Sequence, residues 1–222
     1  MNYVFSERET FLLNKMSKLM LEYNAKVNLT RITQNDEIFE KHYIDSALPL
    51  ELLHDVPRGT SIIDIGTGAG FPGVVLKIAR PDLELTLVDS LKKRTTYLEF
   101  LKAELGLDFS IIHARSEELS RKDEFREKFD VGISRAVANL SALVEYVLPL
   151  VKVGGLFAAM KGERDETAEA TTAIKTLGGK VEEVFRYALP SGDKRSLVVI
   201  RKISQTPTQY PRNRVNISKN PL

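Results

Sequence analysis

The 222-residue chain contains no cysteine. Disulfides and thiolate metal sites are therefore excluded, and a cytoplasmic protein is the natural expectation. Only three histidines are present, His42, His54 and His113, with no carboxylate at metal-ligand spacing, so no metal is expected. No apolar run approaches a membrane span, and Met1–Ser6 lacks a basic signal-peptide head, so no membrane partner is expected either. Internal repeats, low-complexity tracts and flexible linkers are also missing. What remains is a chain long enough for one domain with an appendage and a sizeable core.

Charge of one sign is scarce overall but not locally. The formal net charge is +2, yet residues 201–222 hold five basic and no acidic side chains. A small global excess with a basic end points to a localised polyanion contact, not to general coating of nucleic acid.

The richest stretch is Ser61-Ile62-Ile63-Asp64-Ile65-Gly66-Thr67-Gly68-Ala69-Gly70-Phe71-Pro72-Gly73. Ser61–Ile65 reads as a buried parallel strand, short, Ile-rich and ended by glycine. The close glycines permit positive φ and clear side chains from the path of a ligand. The apolar segment 74–79 then reads as a helix stopped at Arg80-Pro81. Strand, glycine turn and helix open a nucleotide-binding α/β fold. A nucleoside-triphosphate phosphate loop needs Gly-Lys-Ser/Thr at the helix start, and no lysine occurs between Ser61 and Leu76. Gly68, Gly70 and Gly73 match the dinucleotide pattern literally, but that pattern is weakly specific. Asp64 decides between the rest, because a carboxylate at the strand end is unhelpful beside a pyrophosphate and welcome beside the sulfonium and ammonium of S-adenosylmethionine. The run Asp64 to Gly70 resembles the first motif of Rossmann-like methyltransferases. Asp89, ending the next apolar run Leu85–Val88, is placed to hold ribose hydroxyls, as in either nucleotide family.

Taken in order, Ser6-Glu7-Arg8-Glu9 is a capping box, followed by an apolar stripe at Leu12, Met16, Leu19 and Tyr23. The polar segment Tyr23–Thr33 reads as a loop, and Asn35–Leu53 as one or two further helices. Residues 1–57 thus form a helical cap, 58–203 the nucleotide-binding domain and 204–222 a basic tail, in one compact unit. Ser90 is expected to cap a helix through Leu105, with Gly106 as its stop. Strands are expected at Phe109–His113, Phe129–Ser134 and Leu156–Met160, with a helix over Asn139–Leu150 between the last two. Another helix is expected from about Arg164 to Leu177. Val181–Leu189 and Ser196–Arg201, joined by a Pro/Gly loop, read as a terminal hairpin. The expected fold is α/β, a mostly parallel seven-stranded sheet of the S-adenosylmethionine-dependent methyltransferase type with a C-terminal antiparallel hairpin.

With these residues assembled, the chain resembles the bacterial 16S rRNA guanine-N7 methyltransferases, the glucose-inhibited division protein B family. The resemblance spans nearly the whole chain. It rests on Tyr23-Asn24 with Asn28-Leu29-Thr30, His42-Tyr43-Ile44-Asp45-Ser46, the Asp64–Gly73 turn, Leu87-Val88-Asp89-Ser90 with Lys93-Arg94, Ser134-Arg135-Ala136, and Tyr210-Pro211-Arg212. Two departures are visible. Tyr23 stands where the family often has tryptophan, and Val215 and Ile217 where its tail often has glycine and proline.

The resemblance implies methyl transfer from S-adenosylmethionine to N7 of a specific guanine in 16S rRNA, with the rRNA or the small ribosomal subunit as partner; a monomer is the expectation, though the sequence does not fix the oligomeric state. The residues are compatible. N7 carries an in-plane lone pair and no proton, so alignment is the main task and no general base is named. Exocyclic-amine methylation usually shows an Asn/Asp-Pro-Pro-aromatic motif where this chain has Ser134-Arg135-Ala136, and C5 methylation of a pyrimidine generally needs a cysteine. Cofactor candidates are Asp64, Gly66, Gly68, Gly70, Phe71 and Asp89, to which the resemblance adds Ser116, Glu117 and Arg135. A solvated helix start for Glu117 and a surface ion pair for Arg135 are the plainer alternatives. RNA candidates are Asn28, Arg31, His42, Lys92, Lys93, Arg94, Lys161, Arg195 and Arg212, against an ordinary solvated face. His42, Asp45 and Ser46 share one side of a helix and suggest a buried polar brace between cap and turn, in preference to a hydrolase triad. Competing functions are a methyltransferase acting on a protein or small molecule, and a non-catalytic ribosome-binding module.

Overall fold

A computed structural model describes residues 3–53 and 56–222; His54 lies outside the described residues. Seven strands, β1 (Ser61–Ile65), β2 (Glu84–Asp89), β3 (Ser110–His113), β4 (Phe129–Arg135), β5 (Val151–Lys161), β6 (Gly179–Ala188) and β7 (Lys194–Lys202), form one sheet in the order β3-β2-β1-β4-β5-β7-β6. All pairings from β3 to β5 are parallel, and β7 runs antiparallel to both β5 and β6. Strand order reverses between β1 and β4, so a crevice opens at the carboxyl ends of these strands.

The two-residue period of the strands divides the core. Ile62, Leu85, Leu87, Val131, Ile133, Ala158 and Val199 belong to one apolar cluster, with helices α1 (Glu7–Val27), α5 (Gly73–Ala79) and α6 (Lys92–Leu105) packed over it. Their neighbours Ile63, Val88, Phe157, Ala159, Val198 and Ile200 belong to the other, covered by α8 (Leu140–Val147) and α9 (Thr171–Thr176). Burial on both faces explains why β1 and β2 read as apolar runs. The short α7 (Ser116–Leu119) follows β3, and a single 3-10 turn, Leu148–Leu150, extends α8 into β5.

The cap starts as its sequence requires. Ser6 Oγ accepts from the Glu9 amide and the Glu9 carboxylate accepts from the Ser6 amide at 2.8 Å. The helix runs to Val27, four residues beyond the end of the apolar stripe. Asn24 does not break it, because its side chain turns outward to staple the next loop, accepting from the amides of Leu29 at 2.6 Å and Thr30 at 3.0 Å. Tyr23 packs on Tyr97 and Phe100 of α6 with ring centroids 5.1 and 5.7 Å away, an aromatic anchor of cap to domain. The second half of the cap is nearly continuous: α2 (Asn35–Ile38), a π-helical stretch Phe39–Ile44, α3 (Asp45–Ala47) and α4 (Pro49–Leu53).

Three expectations are corrected. Ser90 does not cap α6; Leu91 holds the cap position, the Asp89 carboxylate receives the Leu91 amide, and the Ser90 carbonyl faces the His113 ring. The helix expected from Arg164 forms only over α9, because the Asp165 carboxylate captures the Thr167 amide at 2.9 Å and Glu166 turns inward, so local bonds displace helical ones. Strand β5 starts at Val151, ahead of Gly154-Gly155, since Gly155 lets the strand pass close to β4: a Cβ there would lie 2.6 Å from the Asp130 carbonyl oxygen.

Gly132, at the centre of β4, has no room for a side chain, since a Cβ would lie 2.4 Å from Val147 and 2.9 Å from Val151. Gly132→Ala should destabilise the fold by about 1–3 kcal/mol through overpacking. An unchanged urea midpoint would mean that α8 sits farther from the sheet than described.

Candidate active site

The site begins with the turn after β1. Gly66, Gly68 and Gly70 all take positive φ (73°, 61° and 96°). A Cβ on Gly66 would also meet a Val137 methyl at 2.5 Å. Asp64 holds this turn shut. Its Oδ2 accepts from the Thr67 hydroxyl at 2.8 Å and the Gly73 amide at 2.9 Å, while Oδ1 is buried without a partner. Full burial raises its carboxyl from 3.8 to about 7, against the opposing pull of these hydrogen bonds. Asp64 is thus a brace behind the turn and does not line the open cavity.

That cavity, of about 420 Å³, lies at the carboxyl ends of β1, β2 and β4. Gly66 and Asp89 form its floor, Ser90 and the Ala114–Glu117 segment one side, and Val137, Ala138, Asn139, Ala142 and Tyr146 the other. The Asp89 carboxylate, almost wholly buried, accepts from the Gly68 amide at 3.0 Å, the Leu91 amide at 2.9 Å and Arg94 at 3.1 Å. The Ser116 hydroxyl donates to the Tyr146 carbonyl. Glu117 Oε1 is buried with no partner, an acceptor left for a donor supplied by a ligand. Of the expected cofactor residues, Gly66, Asp89, Ser116 and Glu117 line the cavity; Gly68, Gly70, Asp64, Phe71 and Arg135 lie behind or beside it.

Arg135 is the centre of a second constellation, which ties the cap to the turn. Its guanidinium donates to the Lys41 carbonyl at 2.9 Å, to Asp45 at 3.0 Å and to His42 Nδ1 at 3.1 Å, and lies 5.2 Å from the centre of the Phe71 ring. His42 stacks on the Phe71 ring, with centroids 4.3 Å apart and planes at 13°. Because Nδ1 accepts from Arg135, the imidazole proton sits on Nε2 and is donated to Thr30 Oγ1 at 3.1 Å. Burial and the adjacent Arg135 charge hold His42 down to about 3, so the ring is neutral. Asp45 also accepts from the Tyr187 hydroxyl at 2.7 Å, which joins β6 to the network. The cap brace read from His42 and Asp45 is therefore present; Ser46 is buried beside it with no hydrogen bond to its hydroxyl. Ala136, next to Arg135, takes a left-handed φ of 55° and lifts Val137 onto Gly66.

The expected RNA residues divide into two groups. Asn28, Arg31, Lys92 and Lys93 are exposed, and none of their side chains is held by a hydrogen bond or ion pair. The others are engaged. Arg94 pairs with Asp89; Lys161 is bound to the Ala138 carbonyl at 2.7 Å and Glu166 at 3.1 Å; Arg195 pairs with Asp193 at 3.2 Å; His42 is buried. Arg212, expected on the RNA face, instead grips the fully buried Glu145 of α8 through Nε and Nη2, the latter at 2.7 Å. Arg214, which the sequence offers only as one of the basic residues for RNA phosphate, and Ser218, which it does not single out, line the cavity from α10 (Arg214–Lys219). Their separation of four residues, after a tail read only for its charge, was the available signal.

The family model described as rRNA small subunit methyltransferase G matches residues 10–198. The protein named ribosomal RNA small subunit methyltransferase G of Acetivibrio thermocellus is 47% identical over 92% of this chain and 85% of its own length. Its namesake in Desulforamulus reducens is 43% identical over 100% of this chain and 94% of its own. Among solved structures, a putative class I S-adenosylmethionine-dependent methyltransferase of Listeria monocytogenes superposes with a TM-score of 0.59 at 17% identity, covering 91% of this chain and 73% of that one. An rRNA methylase of Streptococcus thermophilus gives 0.52 at 17% identity, covering 70% and 97%. At such identities these structures speak for the fold alone.

The two perturbed groups oppose each other with pH. Asp64, raised when folded, contributes stability below about 4 that is lost as pH rises towards 7; His42, lowered when folded, contributes stability above 6.5 that is lost as pH falls towards 3. The two slopes largely cancel between pH 4 and 6.5, so a comparison is needed. The stability of Asp64→Asn relative to the parent protein should climb by up to about 1.4 kcal/mol per pH unit over that window. A pH-independent difference in urea titrations would show that Asp64 titrates normally.

Proposed function

We propose, from the fact that the chain belongs to the rRNA small subunit methyltransferase G family, that it transfers a methyl group from S-adenosylmethionine to N7 of a specific guanine in 16S rRNA. The observation that carries the cofactor assignment is the unpartnered, buried Glu117 oxygen in a cavity floored by Gly66 and Asp89. A nucleoside offers an exocyclic amine for the orphaned Glu117 oxygen, hydroxyls within reach of Asp89, and flat surface against the apolar walls of Val88, Val137 and Ala142. The cavity volume also suits a ligand of this size.

Bound there, S-adenosylmethionine supplies an electrophilic methyl on a sulfonium. The chain's own task is to place the acceptor in line with it. N7 of guanine has a lone pair in the ring plane and no proton to lose, so no side chain need act as a base. His42 is suited to that arrangement, because it is neutral and both its nitrogens are already committed. Arg135, Phe71 and His42 form a rigid block at the mouth of the turn, against which a base can be positioned and from which water is displaced. Gly68 and Gly70 keep the turn in shape, while Asp64 braces it from behind and, once ionised, is a favourable neighbour for a cationic donor.

RNA phosphates would meet Arg31 and Asn28 on the cap, and Lys92 and Lys93 at the start of α6, where the cap and the cavity mouth adjoin. Lys161 and Arg195 act one layer in, bracing the loop after β4 and the β6–β7 hairpin. In this reading the helical cap (1–57) and the domain (58–203) select the acceptor together, in a monomer whose partner is the small ribosomal subunit or its rRNA.

Labelled S-adenosylmethionine supplied with small-subunit rRNA lacking the modification, naked and as assembled particles, should yield label as 7-methylguanosine at one position. Label on a pyrimidine or an exocyclic amine would contradict the assignment. The neutral pair Lys92→Gln/Lys93→Gln should reduce the salt slope of single-stranded RNA binding by about 1.4, at about 0.7 per lost phosphate contact. An unchanged slope would remove both lysines from the RNA surface.

A further inference from the structure

The cavity has a wall that neither the sheet nor its crossover helices provide. Arg214 and Ser218, four residues apart on α10, face it from the C-terminal segment. That segment is bound tightly to the domain. Arg126 donates to the carbonyls of Thr206 at 2.8 Å and Tyr210 at 2.9 Å, and Arg121 donates to that of Pro211. Arg212 forms a two-pronged pair with Glu145 and closes on the Asn220 carbonyl at 3.0 Å. Ile217 is wholly buried as α10 packs on α8, and Lys202 at the segment's root is buried against Glu127 at 3.0 Å. Most of the positive charge that marked the tail is therefore neutralised within the protein. Arg214 is different: no ion pair engages it, and it projects beside Tyr146 and Glu117.

We propose that α10 is the outer wall of the cofactor cavity and that Arg214, with Ser218, binds the adenosine half of the bound nucleoside. The inference rests on the reading that this cavity takes S-adenosylmethionine. The adenosine end is assigned by the sheet. Glu117 and Ser116 follow β3, two strands and about 10 Å from the glycine turn after β1, so a ligand spanning the cavity has its far end there. Arg214 shares that end. A planar guanidinium is suited to lie over a purine or to donate to its ring nitrogens, and Ser218 Oγ can serve either a donor or an acceptor. The clamp of Arg212 on Glu145 then fixes the wall at the right distance. The tail thereby becomes part of the cofactor site, and its anchors govern how readily the nucleoside leaves.

The test measures dissociation constants of S-adenosylmethionine, S-adenosylhomocysteine and adenosine for the full chain and for Arg214→Ala and Arg214→Ala/Ser218→Ala. Both residues are exposed, so melting without ligand should be unchanged. Arg214→Ala should weaken all three ligands by a similar factor, roughly tenfold, with no change in the salt slope of RNA binding. Equal affinities in variant and parent would overturn the inference and leave the cavity assignment intact. A loss confined to the two ligands that carry a carboxylate would overturn the placement at adenosine. A flattened RNA salt slope with unchanged cofactor affinity would return the tail to the RNA surface. Failure of the parent protein to bind S-adenosylmethionine would remove the cavity reading and the inference with it. As a check on the clamp, Arg212→Lys keeps the charge against Glu145 but not the fork, and should speed release of S-adenosylhomocysteine; an unaltered off-rate would contradict it.

Discussion

The guanidinium of Arg135 is a full charge largely withdrawn from water, and such a charge is tolerated only where its donors are matched. The matching partners come from the cap: the Lys41 carbonyl, the His42 ring nitrogen and the Asp45 carboxylate. This requirement ties residues 41–45 to the end of β4, almost a hundred positions away. It also sets the chemistry of the neighbours. His42 must be neutral to accept from Arg135. Phe71 stacks on the His42 ring and lies beside the Arg135 guanidinium, so the glycine turn is gripped by the same unit. Removing the charge would leave the buried His42 ring nitrogen without its donor and take from Asp45 its nearest cation, leaving it the Tyr187 hydroxyl and the more distant Arg195, which is the costly direction of change.

A similar pattern recurs around the cavity, where buried carboxylates organise backbone as much as they present charge. Asp64 holds Thr67 and Gly73, Asp89 holds Gly68 and Leu91, and Glu145 holds Arg212. Each acid ties an element that borders the ligand space to the strand or helix that carries the acid. Pre-organisation of this kind is what catalysis by alignment demands, since the reaction needs no proton transfer from the protein. Asp64 and Glu117 each keep one buried oxygen without a partner, and of the two only Glu117 lines the cavity.

The parts legible in the sequence were those governed by local rules. The β1 run Ser61–Ile65, the capping box at Ser6, the helix that follows β4 and the terminal hairpin follow from period, cap chemistry and turn residues. The glycine turn was legible for the same reason, and the family resemblance added Ser116, Glu117 and Arg135. What escaped was decided by long-range pairing. Nothing in the sequence around Arg212 reveals a buried glutamate sixty-seven positions earlier. The segment from Arg164 reads as helix until the partners of Asp165 and Glu166, namely Thr167, Lys161 and Leu140, are known. Ser90 looked like a cap because Asp89 was assigned only to the ligand. In each case a polar side chain expected to face solvent or ligand is engaged inside the protein, and periodicity carries no information about that.

The central claim is that one charge, on Arg135, holds cap, turn and hairpin in a single arrangement. Amide hydrogen exchange of Arg135→Met, compared with the parent chain, tests it most directly, because methionine fills similar space without the charge. Faster exchange is expected together in Gly66–Gly73, in the Leu29–Ile32 loop and in Phe39–Ala47, with the strands β1 and β4 still protected. Unchanged protection in the cap and the turn would contradict the account, since it would show that packing alone holds them together.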